Sequence, residues 1–305
     1  MPVQPISRVD ETLSHVLPPV ERFLARVLPE RLVPGLVEFL AFGIKQAWAC
    51  LFGGLLLAGI IATAWWWPET APLARYDFLV IYAVAIQLGF LALRLERPSE
   101  ALVILIFHLV GTAMELFKTQ AGSWTYPEAN LLRIGGVPLF SGFMYAAVGS
   151  YLARVARTHA FRFTHYPRRR WSLLLAVLIY LNFFTHHYWW DIRYGLFAFC
   201  GLIYARTWVY FQVWRWRHRM PLLVGFFLVS LFIWLAENIG TASRAWLYPS
   251  QNEGWHMVSL DKLGSWYLLM IISWVLVTLV QKPQALTGAP LARMAASSDG
   301  AHAGR

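Results

Sequence analysis

HLVGTAMELFKTQAGSWTYPEANLLRIGGVPLFSGFMY, residues 108–145, lies over SLFIWLAENIGTASRAWLYPSQNEGWHMVSLDKLGSWY, residues 230–267, without a gap. Glu115 falls on Glu237, Thr119 on Thr241, Trp124 on Trp246, and Tyr126-Pro127 on Tyr248-Pro249. Asn130 falls on Asn252, Gly142 on Gly264 and Tyr145 on Tyr267. These eight identities run from Glu115 to Tyr145, where unrelated sequence of this composition gives roughly two. An internal repeat of this kind in a membrane protein points to two similar half-bundles with the functional site between them.

The membrane setting follows from composition. The chain is 58% hydrophobic and 14% charged, against about 25% charged in soluble domains. Eight apolar spans are expected, near 40–66, 76–93, 99–118, 138–156, 171–190, 192–214, 221–243 and 263–281. Each is close to the ~20 residues that cross a bilayer. In lipid the backbone must satisfy its own hydrogen bonds, so each span reads as a helix. The expected fold is an all-α polytopic membrane protein of about eight transmembrane helices. Residues 1–36 read as a cytoplasmic amphipathic segment without the shape of a signal peptide. In it Pro18 and Pro19 interrupt the chain, and Val20, Phe23, Leu24, Val27 and Leu28 form one helical face. Residues 282–305, rich in Ala, Gly, Ser and Pro, read as a disordered tail.

Loop charges give the orientation. The net charge of +10 would suggest nucleic acid in a soluble protein, but here the arginines sit in short loops and nucleic acid is not an expected partner. Arg94 and Arg97 follow span two. Arg154, Arg157, Arg162, Arg168, Arg169 and Arg170 follow span four, and Arg215, Arg217 and Arg219 follow span six. The alternate loops are poorer in positive charge. The positive-inside rule then places both termini in the cytoplasm of a bacterial cell, with the repeated loops outside and the chain multi-pass in the inner membrane. Trp65-Trp66 answers Trp189-Trp190, and Arg75-Tyr76 answers Arg193-Tyr194, so the repeat extends to four helices plus four. Residues 37–157 and 158–281 form the two halves, which are parallel because four crossings restore the starting side.

Glu115 and Glu237 are the leading chemical candidates. Carboxylates within a membrane span face the bundle interior and mark function. Two that approach across a pseudo-two-fold axis make a general acid beside a general base; as single groups at the interface they simply brace the next loop. His108, Thr112 and Glu115 share a helical face, so His108 is either a proton relay or a buried structural histidine. Trp124, Tyr126, Trp246 and Tyr248 suit an interfacial belt, but the fixed W-x-Y-P spacing predicts a cap that roofs a pocket. Pro127 and Pro249 bias the preceding tyrosines to extended backbone. Thr119, Thr241, Asn130 and Asn252 repeat with them and are candidate binding residues. Gly135-Gly136 lacks any phosphate-loop motif. Cys50 and Cys200 lie in apolar stretches, and His186-His187 is one His pair without a second cluster, so neither disulfide, metal nor redox cofactor is expected.

The motifs H-L-x-G-T-x-M-E-x-F-K-T, G-S-W-x-Y-P-E and G-G-V-P-L-F-S-G-F-M-Y resemble the uncharacterised bacterial membrane family Domain of Unknown Function 817, over roughly residues 35–282. That resemblance implies an integral membrane protein and brings no activity with it. A fainter likeness is to membrane carotenoid hydratases and lycopene cyclases, which also place Glu before a G-x-W/F-x-Y loop, here Glu115, Gly122, Trp124 and Tyr126. It implies proton addition to an isoprenoid double bond.

The expected function is a membrane-embedded enzyme of hydratase, cyclase or isomerase type. It would act on a lipid or isoprenoid through Glu115 and Glu237, with the aromatic residues stabilising a carbocation. A proton-coupled transporter of a small or lipophilic substrate, or a non-catalytic envelope protein, are the alternatives. Membrane lipids and a lipophilic small molecule are the expected partners, and the sequence leaves the oligomeric state open.

Overall fold

The computed structural model describes residues 8–68 and 70–286. Among them lie ten α-helices: α1 (Arg8–Val27), α2 (Val33–Ala49), α3 (Leu51–Trp66), α4 (Arg75–Ala92), α5 (Pro98–Gln120), α6 (Phe140–Thr158), α7 (Arg169–Thr185), α8 (Arg193–Tyr204), α9 (Leu222–Ala242) and α10 (Asp261–Val280). Five short strands accompany them: β1 (Arg133–Ile134), β2 (Val137–Pro138), β3 (Arg162–Thr164), β4 (Trp208–Gln212) and β5 (Arg217–Pro221). The fold is therefore mostly helical, and the strands correct the all-α expectation.

Four helices, α4, α5, α9 and α10, are long and apolar enough to cross a membrane. A fifth span exists if α2 and α3, bent by 70° at Cys50, count as one broken crossing. At 192–214 the expected span is not one continuous helix. The apolar run 192–214 yields only the twelve residues of α8, about 18 Å at 1.5 Å per residue, well short of the ~30 Å hydrocarbon core. Beyond Tyr204 the run Trp208-Val209-Tyr210-Phe211 is β-branched and aromatic, and it pairs as β4 instead. A hydropathy count cannot separate an apolar strand from an apolar helix.

The chain is stitched together at one end by a small sheet. β3 pairs antiparallel with β4, and β4 with β5. Ala285 pairs with Phe163 in parallel, and Leu286 N–H donates to the Phe163 carbonyl. Residues 284–286 are thus held on the sheet edge rather than loose, while the rest of the expected tail, 287–305, lies outside the described residues. α1 also differs from expectation. It runs through Pro18 and Pro19 and buries Val9, Leu13 and Leu17 against Val33, Val37, Ala41 and Val213. Phe23 and Val27, expected on the apolar face, are exposed. Glu38 on α2 accepts the backbone N–H groups of Trp214, Arg215 and Trp216, and Arg215 pairs with Glu21 on α1 at 2.7 Å, so the β4–β5 turn is clamped to the N-terminal helices.

Arg154 is not a loop charge. It lies within α6, fully buried, and pairs with the equally buried Glu96 at 3.0 Å. Its Nη1 reaches the Trp48 carbonyl at the α2–α3 break. One turn on, Arg157 Nε and Glu100 Oε1 stand 2.9 Å apart, an ion pair whose angle falls outside hydrogen-bond geometry. His159, 1% exposed just after α6, sits among Phe42, Phe161 and Phe211 with Nε2 unpartnered. Burial, and then the Lys45 cation, push its imidazole down to about 4. The fold therefore holds His159 neutral, while the unfolded chain binds a proton below about 6.5. Stability from this group is complete above that value and is lost as pH falls from about 6.5 to about 4, by up to ~3 kcal/mol. The unfolding temperature of the wild type should drop across this window more steeply than that of His159→Gln; parallel curves would contradict the assignment.

At the opposite end, α5 and α9 finish in the two repeated loops. Both close with the same backbone pattern. Ser123 N–H donates to the Lys118 carbonyl and Ala245 N–H to the Gly240 carbonyl. The left-handed residue between is Gly122 (φ 70°) in one loop and Arg244 (φ 53°) in the other. Gly135 and Gly136, both at positive φ, make the two-residue turn between β1 and β2. Asp77 accepts from Asn130 Nδ2 and from the N–H groups of Leu131 and Leu132, which pins that loop to α4. Elsewhere α3 packs on α4 and α6, as α7 packs on α8 and α10.

Candidate functional site

The two repeated loops meet. Thr125 and Leu247 form an antiparallel bridge with N–H to carbonyl bonds of 2.9 Å in both directions. They are repeat mates, separated by the same interval as Glu115 and Glu237. On either side of this bridge stand the W-x-Y residues, and the polar tips of Trp124, Tyr126 and Tyr248 reach the glutamates, while the Trp246 ring packs on Gly240.

Glu115 accepts three hydrogen bonds: Trp124 Nε1 at 2.7 Å and Tyr126 OH at 2.6 Å on Oε2, and Tyr145 OH at 2.8 Å on Oε1. Glu237 accepts from Tyr248 OH on Oε1 and from Trp266 Nε1 at 2.7 Å on Oε2. Tyr126 and Tyr248 are repeat mates playing the same part. The other donors differ between halves. Tyr145 serves Glu115, whereas its mate Tyr267 stands 4.0 Å from Cys200 Sγ and the adjacent Trp266 serves Glu237. Both glutamates are 3% exposed, and among the described residues no cation lies within ion-pair distance of either. The groups in contact with both carboxyls are neutral donors, and Lys262 acts on Glu237 only from beyond ion-pair distance, which leaves each carboxyl free of a fixed counter-ion. Burial, and then the neighbouring carboxylates, push the hydroxyls of Tyr126 and Tyr248 well above the usual tyrosine range, so both remain donors.

Tyr248 OH lies within electrostatic reach of Glu115 as well as Glu237, and the Tyr248 ring meets the Trp124 ring edge-on at 6.1 Å. Both glutamates line one cavity of about 1430 Å³. Small-molecule pockets usually enclose about 300–1,000 Å³, so this one is large. Glu115, Glu237, Trp124, Tyr126, Trp246 and Tyr248 gather at its loop end. Its walls continue along α9 from Glu237 to Leu222, roughly 22 Å at 1.5 Å per residue. The lining toward the far end includes Phe39, Cys50, Phe161 and Phe211.

Four sequence candidates of the repeat lie off this cavity. Asn130 is spent on Asp77, and Asn252 is exposed. Thr241 donates to the Asn238 carbonyl and accepts from Trp255, and Thr119 turns away from the cavity. His108 is also apart. It packs on Phe143 at 4.7 Å and against Gly142, where an added Cβ would stand 2.4 Å from its Nδ1. It stands at a close crossing of α5 and α6 and does not line the cavity.

The cavity also holds groups that the repeat does not mark. Lys118 and Lys262 both line its loop end. The mate of Lys118 is Gly240 and that of Lys262 is Phe140, so each half supplies one lysine at an unrelated position. The available signal was spacing, since Lys118 lies three residues after Glu115 on the same helical face. Lys118 Nζ stands 2.7 Å from His187 Nε2 and 3.3 Å from His186 Nε2, so the His pair faces an ammonium rather than a metal-ligand set.

A family model described as "Protein of unknown function (DUF817)" matches residues 38–274. The Uncharacterized protein YoaT of Bacillus subtilis (strain 168) is 44% identical over 243 residues, covering 79% of this chain and 90% of that protein. No solved structure matches the chain significantly. With most of its length matched by that model, the chain, a helical protein with several helices apolar enough to cross a bilayer, belongs to the DUF817 family of proteins of unknown function.

Proposed function

We propose that this protein is a membrane enzyme that binds a lipid or isoprenoid chain in the shared cavity and performs acid/base chemistry on it with Glu115 and Glu237. The observation that carries the reading is the single long cavity with both carboxylates at one end. An apolar tunnel of this length suits a hydrocarbon chain, and a carboxyl without a fixed counter-ion can give up or take a proton. One glutamate donates the proton and the other accepts it or balances the developing charge. Trp124, Trp246 and Tyr248 offer π faces to a cationic intermediate. Cyclisation or isomerisation of a double bond needs only a proton given and a proton taken back, and hydration adds one water, whose proton the second carboxylate takes.

The architecture behind the reading is a duplicated four-helix unit, α3–α6 and α7–α10, related by an axis along the membrane normal. The matched loop closures, the matched helix pairings and the Thr125–Leu247 bridge support it. The arginine-rich sheet end then faces the cytoplasm of a bacterial cell with both termini, and the cavity's acidic end faces outward from the inner membrane.

Comparing lipid extracts of cells expressing wild type, Glu115→Gln and Glu237→Gln by mass spectrometry tests the chemistry. A lipid or isoprenoid species converted by wild type and left unconverted by both variants is expected. Identical extracts together with pH-gradient-driven flux in vesicles would replace the enzyme with a transporter.

A further inference from the structure

Lys118 has a surrounding that the chemistry at the glutamates does not require. It is 5% exposed, and among the described residues no carboxylate lies within ion-pair distance. Its neighbours are the two imidazoles and the Phe183 ring, 4.3 Å away. The charges that act on it most strongly are two further cations, Lys262 and Arg193, with Asp191 opposing them. Asp191 is already engaged by Arg193 at 2.5 Å and by Asn182 at 3.1 Å. Glu115, one turn away, has both oxygens occupied by Trp124, Tyr126 and Tyr145. Burial, and then the Lys118 cation, hold His186 and His187 below the usual histidine range, so they are neutral near pH 7 and bring no compensating charge. Lys262 is also without a carboxylate at ion-pair distance and lies over the Tyr248 ring at 4.4 Å and the Trp124 ring at 6.0 Å. Asp191 acts on Lys118, and Glu237 on Lys262, only from beyond ion-pair distance, and a buried ammonium with no carboxylate in contact attracts an anion.

We infer that Lys118 and Lys262 form an anion-recognition site at the loop end of the cavity, and that it takes the phosphate or carboxylate head of an amphiphile whose tail fills the tunnel. The inference rests on the lipid reading above and adds the substrate class. Head and tail are complementary to the two regions of one cavity: ammonium groups at the loop end, and aromatic and aliphatic walls beyond Glu237. The head seated on Lys118 would hold the first segment of the tail beside Glu115 and Glu237, which fixes where a proton is delivered. His186 and His187 lie on the short segment between α7 and α8, outside both helices. They occupy the Lys118 ammonium as acceptors and give way when an anion arrives.

Thermal unfolding of the purified full chain in a neutral detergent tests this, with dodecyl phosphate, dodecanoate, dodecanol and inorganic phosphate as probes. The two anionic amphiphiles are expected to raise the unfolding temperature, with dodecanol and inorganic phosphate having little effect at equal concentration. Lys118→Met and Lys262→Met should each weaken binding of dodecyl phosphate by about tenfold to a hundredfold, the range for a charge-assisted contact. Lys118→Arg should restore most of it, and Glu115→Gln should retain it. Equal protection by dodecanol, or protection unchanged in both lysine variants, would overturn the anion site while leaving the lipid cavity in place. Protection by inorganic phosphate alone would assign the site to a free anion and overturn the amphiphile. No protection of wild type by any amphiphile would remove the lipid reading as well.

Discussion

Glu115→Gln is expected to lower conversion of the lipid substrate by about 10²–10⁴-fold, the range for loss of a positioned proton-transfer group. Glu237→Gln should act in the same direction. Both proteins should still fold, and the hydrogen-bond sets explain why. Glutamine at 115 can keep its oxygen at the Oε2 position, where Trp124 and Tyr126 donate, and turn its amide toward Tyr145 OH, which can accept. At 237 the choice is forced: Trp266 can only donate, so the oxygen must face it and the amide must face Tyr248 OH. Each variant then loses the charge and the proton but few bonds. Glu115→Ala is a poorer test, because it leaves three donors without an acceptor at about 1–3 kcal/mol each. Conversion should be measured per folded protein, with the unfolding temperature as the control. Wild-type conversion rates in both glutamine variants would end the acid/base role.

Arg154→Met carries the largest expected effect on stability, about 3–5 kcal/mol. Glu96 has no exposed surface and accepts from Arg154 at 3.0 Å, Ser150 at 2.9 Å and Gln87 at 2.7 Å. Without the guanidinium, a carboxylate remains buried with neutral donors only. The Trp48 carbonyl at the α2–α3 break loses its donor in the same step. The double variant Arg154→Met with Glu96→Gln should recover much of the loss, since it removes the stranded charge. Unfolding of the purified chain by denaturant reads both. A single-variant loss below about 1 kcal/mol, or a double variant no better than the single, would mean that the pair is not the tie between the α4–α5 connection and α6 that its geometry indicates.

The sequence carried the membrane class plainly, because 58% apolar composition in long runs has few other readings. It misjudged the crossings where apolar character and secondary structure part company. The run 192–214 is mostly apolar, yet its second part is a strand paired on both sides. Arg154 looked like a loop charge because its partner, Glu96, lies far away in the sequence, in the α4–α5 connection, and a buried ion pair leaves no local signature. The candidate site was legible as far as the repeat reached. Glu115, Glu237, Trp124, Tyr126, Trp246 and Tyr248 repeat and line one cavity. Asn130 and Thr241 also repeat, but they hold the loops rather than the cavity. Lys118 and Lys262 were hidden because each half contributes its lysine from a position whose mate is Gly240 or Phe140.

The central claim is that the two repeated loops close on one another and bring both carboxylates to one cavity. Thr125→Cys with Leu247→Cys, in a Cys50→Ser background, tests it most directly. Residues exchanging both backbone hydrogen bonds stand with Cα atoms about 5.5 Å apart, within the span a disulfide bridges. Mild oxidation of the double variant in native membranes should give an intramolecular disulfide, seen as a reducible mobility shift that neither single variant shows. Two thiols that stay free, each open to a bulky maleimide from the aqueous side, would place the loops apart and contradict the shared cavity.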